Sequence, residues 1–329
     1  MRPVARARRP GTIITSKVGA CLLGGEAMTV DRGYVLVSPC RNEALLMRQT
    51  LDSVLAQSVR PAKWVIVDDG STDATPGILT EYASRHDWIS IVTVQDRGNR
   101  SVGPGVVAAL YAGLESVDLD QFDYFCKLDL DLRLPPRYFE ILSERMAADP
   151  RLATCSGRPY LEIGGSMVPE RHGFDTSLGA TKFYRVTAFK DIGGFVQAVA
   201  WDGIDCHRCR MKGWSACNWD DPGLRFIHLR PMGSSQRGIL TGRVRSGFGQ
   251  YYMGTGLAFM TVSAIYRLNQ RPYVIGSAAM MWGWIRSALQ RKPRYDDLEF
   301  RKFLRRYHRR VLLVGKRRAV AELAPAAPT

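Results

Sequence analysis

Two aspartates one residue apart, Asp129 and Asp131, follow the apolar run from Tyr124 to Leu128, and a proline pair, Pro135 and Pro136, redirects the chain just beyond. Alternate residues at a strand end project to the same side, so the two carboxylates share a side with about 7 Å of backbone between them. Convergent carboxylates repel unless a cation lies near them. Hard oxygen ligands select Mg²⁺ or Mn²⁺, which keep open positions for phosphate oxygens. A pair of solvated turn aspartates is the alternative, and D-x-D alone does not decide between them. Other groups with chemical potential are Pro39, Arg41, Asn42 and Glu43 in "SPCRNE", and Asp68 and Asp69 in "DDGS". Asp202 and Asp205 open a helical stretch, where the helix dipole favours a carboxylate in any case. His228 and Arg230 lie in "FIHLR"; the arginine suits a phosphate, and the histidine reads equally as a satisfied core residue. Cys206 and Cys209 form a C-x-x-C with no second pair, which reads as reduced structural thiols.

The elements that carry these residues alternate. Strands are predicted at Tyr34 to Val37, Trp64 to Val67, in "ISIVTVQ" and in "DYFCKL". Helices fall between them: "EALLMRQTLDSVLAQ", with apolar residues at 45, 46, 51, 54 and 55, "TPGILTEYASRH" with Pro76 at its first position, and "GPGVVAALYAGLESV". A further helix, "PPRYFEILSERMAADP", follows the fourth strand. Such alternation gives a mainly parallel, doubly wound α/β sheet, with ligands beyond the carboxyl ends of its strands. "SPCRNE", "DDGS" and "DLD" all fall at those ends. No G-x-G-x-x-G follows the first strand and there is no GxxxxGK[ST], which disfavours a dinucleotide site and excludes a P-loop.

In this order, "VSPCRNE", "VDDGSTDAT" and "LDLDLRLPP" closely resemble family 2 glycosyltransferases of the GT-A fold, over about residues 33–235. The resemblance implies a Rossmann-like sheet flanked by helices and a nucleoside-diphosphate sugar as donor. It implies that Pro39, Arg41, Asn42 and Glu43 line the nucleotide pocket and that Asp68 and Asp69 hold the base. It makes Asp129 a contact to ribose or metal, and Asp131 a ligand to the metal bridging the diphosphate. "AFKDIGGFVQAVAWDGIDCHRCRMKGW" matches the family's acceptor loop and catalytic-aspartate region. There Asp202 takes the position of the base, with Asp205 as its rival, and Trp201 replaces the usual glutamate. His228 stands where GT-A enzymes often place a third metal ligand. No Arg-Trp pair follows "SSQRGILTGRVR", which favours transfer of a single sugar over polymerisation. A sugar-phosphate nucleotidylyltransferase would want a glycine-rich basic signature that "SPCRNE" lacks. A basic adaptor with a dead transferase core is opposed by Asp129, Asp131 and Asp202.

Charge divides the 329 residues. The chain carries +15, but residues 1–28 hold five Lys/Arg against one acid and residues 286–318 hold thirteen against three, so the body between is near neutral. Basic tails of this kind suit anionic lipid surfaces or phosphates. Seven scattered cysteines argue against a secreted disulfide framework and favour the cytoplasm. The apolar stretches near 253–266 and 273–285 are each shorter than the roughly 20 residues a spanning helix needs. With Trp282 and Trp284 and the cations after them, they predict helices at the inner face of the cell membrane, close to a lipid-linked or saccharide acceptor, with soluble helices packed on the catalytic domain or a hairpin dipping into the bilayer as the alternatives. No nucleic-acid partner is expected: Tyr295, Phe300, Phe303 and Tyr307 among the cations suit an amphipathic helix equally well. The expected organisation is a disordered basic extension (1–28, with Met28 an alternative start), a GT-A domain (29–240), a helical membrane-peripheral region (241–318) and a disordered tail (319–329).

Overall fold

A computed structural model describes residues 33–95, 98, 102–170, 172–234 and 238–323. The basic extension 1–28, its alternative start, and residues 324–329 lie outside the described residues.

The first half alternates as its periodicity requires. β1 (Tyr34–Cys40), α1 (Met47–Leu55), β2 (Lys63–Asp68), α2 (Thr75–Arg85), β3 (Ile89–Thr93), α3 (Pro104–Leu114) and β4 (Tyr124–Leu128) follow one another. Short β5 (Leu132–Arg133) and α4 (Tyr138–Ala148) complete it. β1 lies between β2 and β4, parallel to both, with Cys40 opposite Asp68. The carboxyl ends of these three strands therefore open on one side. α1 buries Met47, Thr50, Leu51 and Val54, an i, i+3, i+4, i+7 stripe. Leu45, expected on that stripe, precedes the helix and is 95% exposed.

The second half adds β6 (Leu152–Ser156), β7 (Arg158–Ile163), β8 (Ser166–Pro169), β9 (Thr181–Arg185), α5 (Val186–Asp191), α6 (Trp201–Met211), β10 (Ser215–Asn218) and β11 (Arg225–His228). The main sheet runs β10-β6-β9-β4-β1-β2-β3, with β9 antiparallel between β4 and β6. A second sheet, β5-β11-β7-β8, pairs His228 with Leu132. Apolar clusters cover both faces of the main sheet, one centred on Trp64, Phe139 and Phe183, the other on Phe125, Tyr184 and Phe189. Burial on both faces explains why its strands read as continuous apolar runs.

Five helices close the chain: α7 (Ile239–Met253), α8 (Leu257–Tyr266), α9 (Tyr273–Leu289), α10 (Leu298–Val314) and α11 (Lys316–Leu323). None among the described residues is long and apolar enough to cross a membrane. α7 and α9 meet backbone to backbone. A Cβ on Gly247 would lie 1.9 Å from the Met280 carbonyl, and one on Gly283 would lie 2.1 Å from the Val244 carbonyl, so only glycine fits either place. α8 and α9 leave Leu257, Val262, Ile265, Tyr266, Val274 and Ile275 exposed.

α10 packs against the rest of the chain. Its apolar stripe of Phe300, Leu304, Tyr307 and His308 is buried, with Phe300 and Leu304 against Ile204 of α6 and Met253 of α7. The Asp297 side chain accepts from the Phe300 N–H and starts the helix. Tyr307 donates to Asp175 (2.5 Å), and Lys316 pairs with the other oxygen of that carboxylate (2.9 Å). An amphipathic helix with one apolar stripe buries that stripe once, and here the catalytic domain takes it. α11 likewise remains helical to Leu323, where the sequence suggests disorder from 319.

Candidate active site

The first group forms at the ends of β1 and β2. The backbone N–H groups of Asn42 and Glu43 donate to the hydroxyls of Ser71 and Thr75 (2.9 Å each). Thr72 N–H donates back to Asn42 Oδ1 (2.7 Å). Asn42 adopts a left-handed φ of 53°, which asparagine tolerates better than most residues. Asp68 accepts from Ser71 N–H (3.0 Å) and so shapes the "DDGS" turn, while Arg41 Nη1 donates to the Asp69 carbonyl (2.6 Å). Pro39 pairs with Val67 in the sheet, which sets these two loops side by side. Asp68, Asp69, Arg41 and Glu43 are all buried.

Asp129 and Asp131 leave β4 with separate protein counter-charges among the described residues. Lys127, inside the strand and buried, pairs with Asp129 and also donates to the Gly179 carbonyl (2.6 Å). Enclosure raises the Asp129 carboxyl, the Lys127 ammonium pulls it down, and the charge of Asp131 lifts it again; the net is upward. Asp131 Oδ2 meets Arg230 Nε at 2.5 Å and His228 Nε2 at 3.7 Å. Burial alone would raise Asp131, but the nearby His228 and the Arg230 guanidinium hold it well below the usual carboxylate range. Burial likewise works against a charged His228, but Asp131 and Glu170 push it up to about 10. Glu170 accepts at Nδ1 (2.8 Å) and fixes the ring. Arg230 Nη2 also pairs with Glu43 (2.6 Å), so one guanidinium joins the β1 loop to the D-x-D.

The metal question turns on Asp131. Its Oδ1 is buried with no hydrogen-bond partner among the described residues. A bare buried carboxylate oxygen costs about 1–3 kcal/mol or more, and a cation would relieve it. No group of three or more His, Cys, Asp or Glu forms a cage among the described residues. The set fits a hard cation held by few protein atoms and completed by phosphate oxygens, not a closed structural site.

The two base candidates separate. Asp202 lies in the first turn of α6, part-exposed, and no described residue is hydrogen-bonded or ion-paired to its carboxylate. It borders Gly179, where a Cβ would come within 2.9 Å of Asp202 Oδ2; the Gly179 carbonyl is the one that holds Lys127. Asp202 and the Lys127–Asp129 pair thus flank one glycine. Asp205 is not in the cleft. It is 1% exposed and pairs with Lys182 at 2.5 Å, while Tyr184 (2.9 Å) and its neighbour's Cys206 N–H (2.7 Å) also donate to it. A carboxylate saturated beneath the sheet has no route to an acceptor hydroxyl, which removes Asp205 as the base. Trp201, at the position of the family's glutamate, is buried, with Lys127 and Lys182 approaching its ring at 5.7 and 6.0 Å. Cys206 and Cys209 are free and buried, and burial raises both thiols.

Sequence reading missed Lys127 and Glu170. A lysine interrupting an otherwise apolar central strand was the available sign of the first. The second, 58 residues from His228, left none. Residues 235–237, within the stretch compared with the polymerising members, lie outside the described residues.

An open α/β sheet with acidic loops at the carboxyl ends of β1, β2 and β4 is the architecture of the GT-A fold. Residues 35–199 match the family described as glycosyl transferase family 2, and the chain belongs to that family. Among curated relatives, poly-beta-1,6-N-acetyl-D-glucosamine synthase of Staphylococcus aureus (strain COL) is 25% identical over 136 residues, 41% of this chain. The match spans about a third (31%) of that relative's length. A Pyrobaculum calidifontis mannosyltransferase solved with GDP-Man and Mn²⁺ superposes with a TM-score of 0.51 at 19% identity, covering 90% of this chain and 85% of that one. S. aureus TarS 1–349 in complex with UDP superposes with a TM-score of 0.50 at 15% identity, covering 89% of each chain. These likenesses carry the fold.

Proposed function

We propose that the protein transfers one sugar, with inversion, from a nucleoside-diphosphate sugar to a hydroxyl of a membrane-borne acceptor. The observation that carries this is the grouping of Asp202, Asp129 and Asp131 around Gly179 and Arg230, with Asp202 unengaged and Asp131 Oδ1 bare. Asp202 accepts the proton of the attacking hydroxyl while the nucleoside diphosphate departs from the opposite face of the anomeric carbon. Pro39, Arg41 and Asn42 frame the nucleotide, Glu43 anchors Arg230 beside it, and Asp68 and Asp69 face the base. Asp131, with His228 once neutral and with diphosphate oxygens, would hold Mg²⁺ or Mn²⁺, which when bound offsets charge on the departing diphosphate. The neighbour bound to GDP-Man and Mn²⁺ and the one bound to UDP are consistent with such a donor.

The exposed apolar residues of α8 and α9, with Trp282 beside them, support docking at the inner face of the cell membrane. The absent Arg-Trp pair supports single transfer; the match to a polymer synthase supports a second reading, chain extension. Incubating the protein with a panel of sugar nucleotides and Mn²⁺ tests the proposal. Release of nucleoside diphosphate from at least one donor is expected, abolished by excess chelator and by Asp131→Asn. No release from any donor would end it. Product length on an accepted primer separates one sugar from many.

A further inference from the structure

Glu170 follows β8 directly, and its N–H donates to the Pro159 carbonyl of β7 (2.9 Å). β7 pairs in turn with β11, Pro159 opposite Phe226 and Tyr160 opposite Ile227, so the hairpin delivers a carboxylate beside the end of β11. Both of its oxygens are used there. Oε2 meets His228 Nδ1 at 2.8 Å, and Oε1 accepts from the Met232 N–H at 2.8 Å. An ionised carboxylate offers only lone pairs, so Nδ1 carries the hydrogen. Nε2 is then the nitrogen on the Asp131 side, 3.7 Å from Oδ2. The strand end is also pinned at the D-x-D, where the Leu229 N–H donates to the Asp131 carbonyl (2.8 Å). Between Leu229 and Met232 lies Arg230, whose guanidinium takes Asp131 Oδ2 (2.5 Å) while Oδ1 stays bare.

Glu170 thus fixes two of the groups around that bare oxygen, the His228 ring by one of its own oxygens and the Arg230 loop by the other. A histidine that ligates a metal almost always has its opposite N–H held by a carboxylate, a carbonyl or water, which sets the tautomer and the ring orientation. Glu170 is 14% exposed, and burying a carboxylate costs free energy that packing a ring does not require. We propose that Glu170 is a positioning residue for the donor's diphosphate and its divalent cation, turning His228 Nε2 to the side of Asp131 and holding the Arg230 loop beside it. The proposal rests on the cation and diphosphate assigned to Asp131 above; the bracing contacts do not.

The test titrates Mn²⁺ calorimetrically into the full chain at a fixed pH, alone and with UDP or GDP present, against protein-free blanks. Glu170→Gln keeps the side-chain shape and can still accept from Met232, but it turns an amide N–H₂ toward Nδ1. The ring must then accept at Nδ1 and place its hydrogen on Nε2, the side of Asp131. A loss of Mn²⁺ affinity of about 10- to 100-fold is expected, the usual effect of removing such a partner. His228→Ala and the double variant separate the route. Removing the Glu170 charge also weakens the attraction of a cation directly, and that part survives without the ring. A loss that shrinks below about threefold in the His228→Ala background supports the proposal, because the two residues then act as one unit. A loss that persists in full without His228, or no loss from Glu170→Gln, overturns it and leaves the cation reading intact. No Mn²⁺ binding by the unaltered chain under any of these conditions removes the cation reading, and this proposal with it. Urea unfolding checks that each variant is folded. Where Glu170→Gln does not fold, Glu170→Asp takes its place, since the shorter side chain cannot span the ring and Met232 together. A smaller loss in the same direction is then expected, again dependent on His228.

Discussion

Arg230→Met removes the guanidinium that joins two loops of the cleft while keeping much of its side-chain volume. Two charge-assisted hydrogen bonds disappear, to Asp131 (2.5 Å) and Glu43 (2.6 Å), and both carboxylates are about 95% buried. Hydrogen bonds to charged groups contribute about 1.5–3 kcal/mol each. Arg230 itself is 23% exposed, so solvent moderates the loss, and the lower end, about 3 kcal/mol in all, is expected. For a chain of this size that lowers Tm by about 4 °C. Urea unfolding followed by circular dichroism at pH 7 measures it. The sign with pH follows from Asp131, whose carboxyl is held low in the folded protein. Its stabilisation is complete above the ordinary aspartate value of about 3.9 and fades as pH falls below that. The gap between unaltered chain and variant should therefore be full at pH 7 and narrow below about pH 4. Mn²⁺ should restore part of the variant's stability, about 2.7 kcal/mol at a hundredfold excess over Kd, because Asp131 then receives a different cation. A variant within about 0.5 kcal/mol of the unaltered chain at pH 7 would refute the view that Arg230 holds these loops together.

Asp202→Asn should keep its stability and donor binding while losing turnover by about 10²-fold or more, read as nucleoside diphosphate release in the presence of acceptor; an active variant moves the base elsewhere. Asp205→Asn should do the opposite in the unfolding assay, losing about 3–5 kcal/mol because Lys182, 0% exposed, keeps its charge without its partner. Phe300→Ala should lose about 3–5 kcal/mol from the cavity it leaves beneath α10; a loss under 1 kcal/mol would show that α10 is only loosely attached. Val274→Glu/Ile275→Glu should leave the Tm nearly unchanged, since both positions are exposed, and should reduce sedimentation with phosphatidylcholine–phosphatidylglycerol vesicles several-fold; unchanged sedimentation would take the membrane face away from α9.

The first half of the fold was legible because its strands are short, parallel and buried on both faces, so each reads as an apolar run ending in a polar loop. Asp68, Asp69, Asp129 and Asp131 are found this way without any knowledge of partners. The second half hides its strands because β9 enters antiparallel between β4 and β6, a pairing that no local period announces. Sequence places Asp202 ahead of Asp205 only by its position in the motif, the two being three residues apart on one helix. What separates them physically is the pairing of Asp205 with Lys182 and Tyr184 on β9. In the basic C-terminal region the charge pattern and the packing answer different questions. Its charge count describes the outer side of α10, while Phe300, Leu304 and Tyr307 decide where the helix sits.

The glycine crossing of α7 and α9 makes those two helices a single beam. Neither backbone leaves room for a Cβ at the crossing, so the two helices lie at a separation only glycine permits. Gly249 of α7 lies against Ala200, a non-glycine residue held at a φ of 58° and the residue from which α6 begins. Left-handed alanine sits in a shallow well that neighbouring contacts must maintain. The helical region that supports the catalytic domain thus bears on the residue from which the first turn of α6, and Asp202 with it, begins.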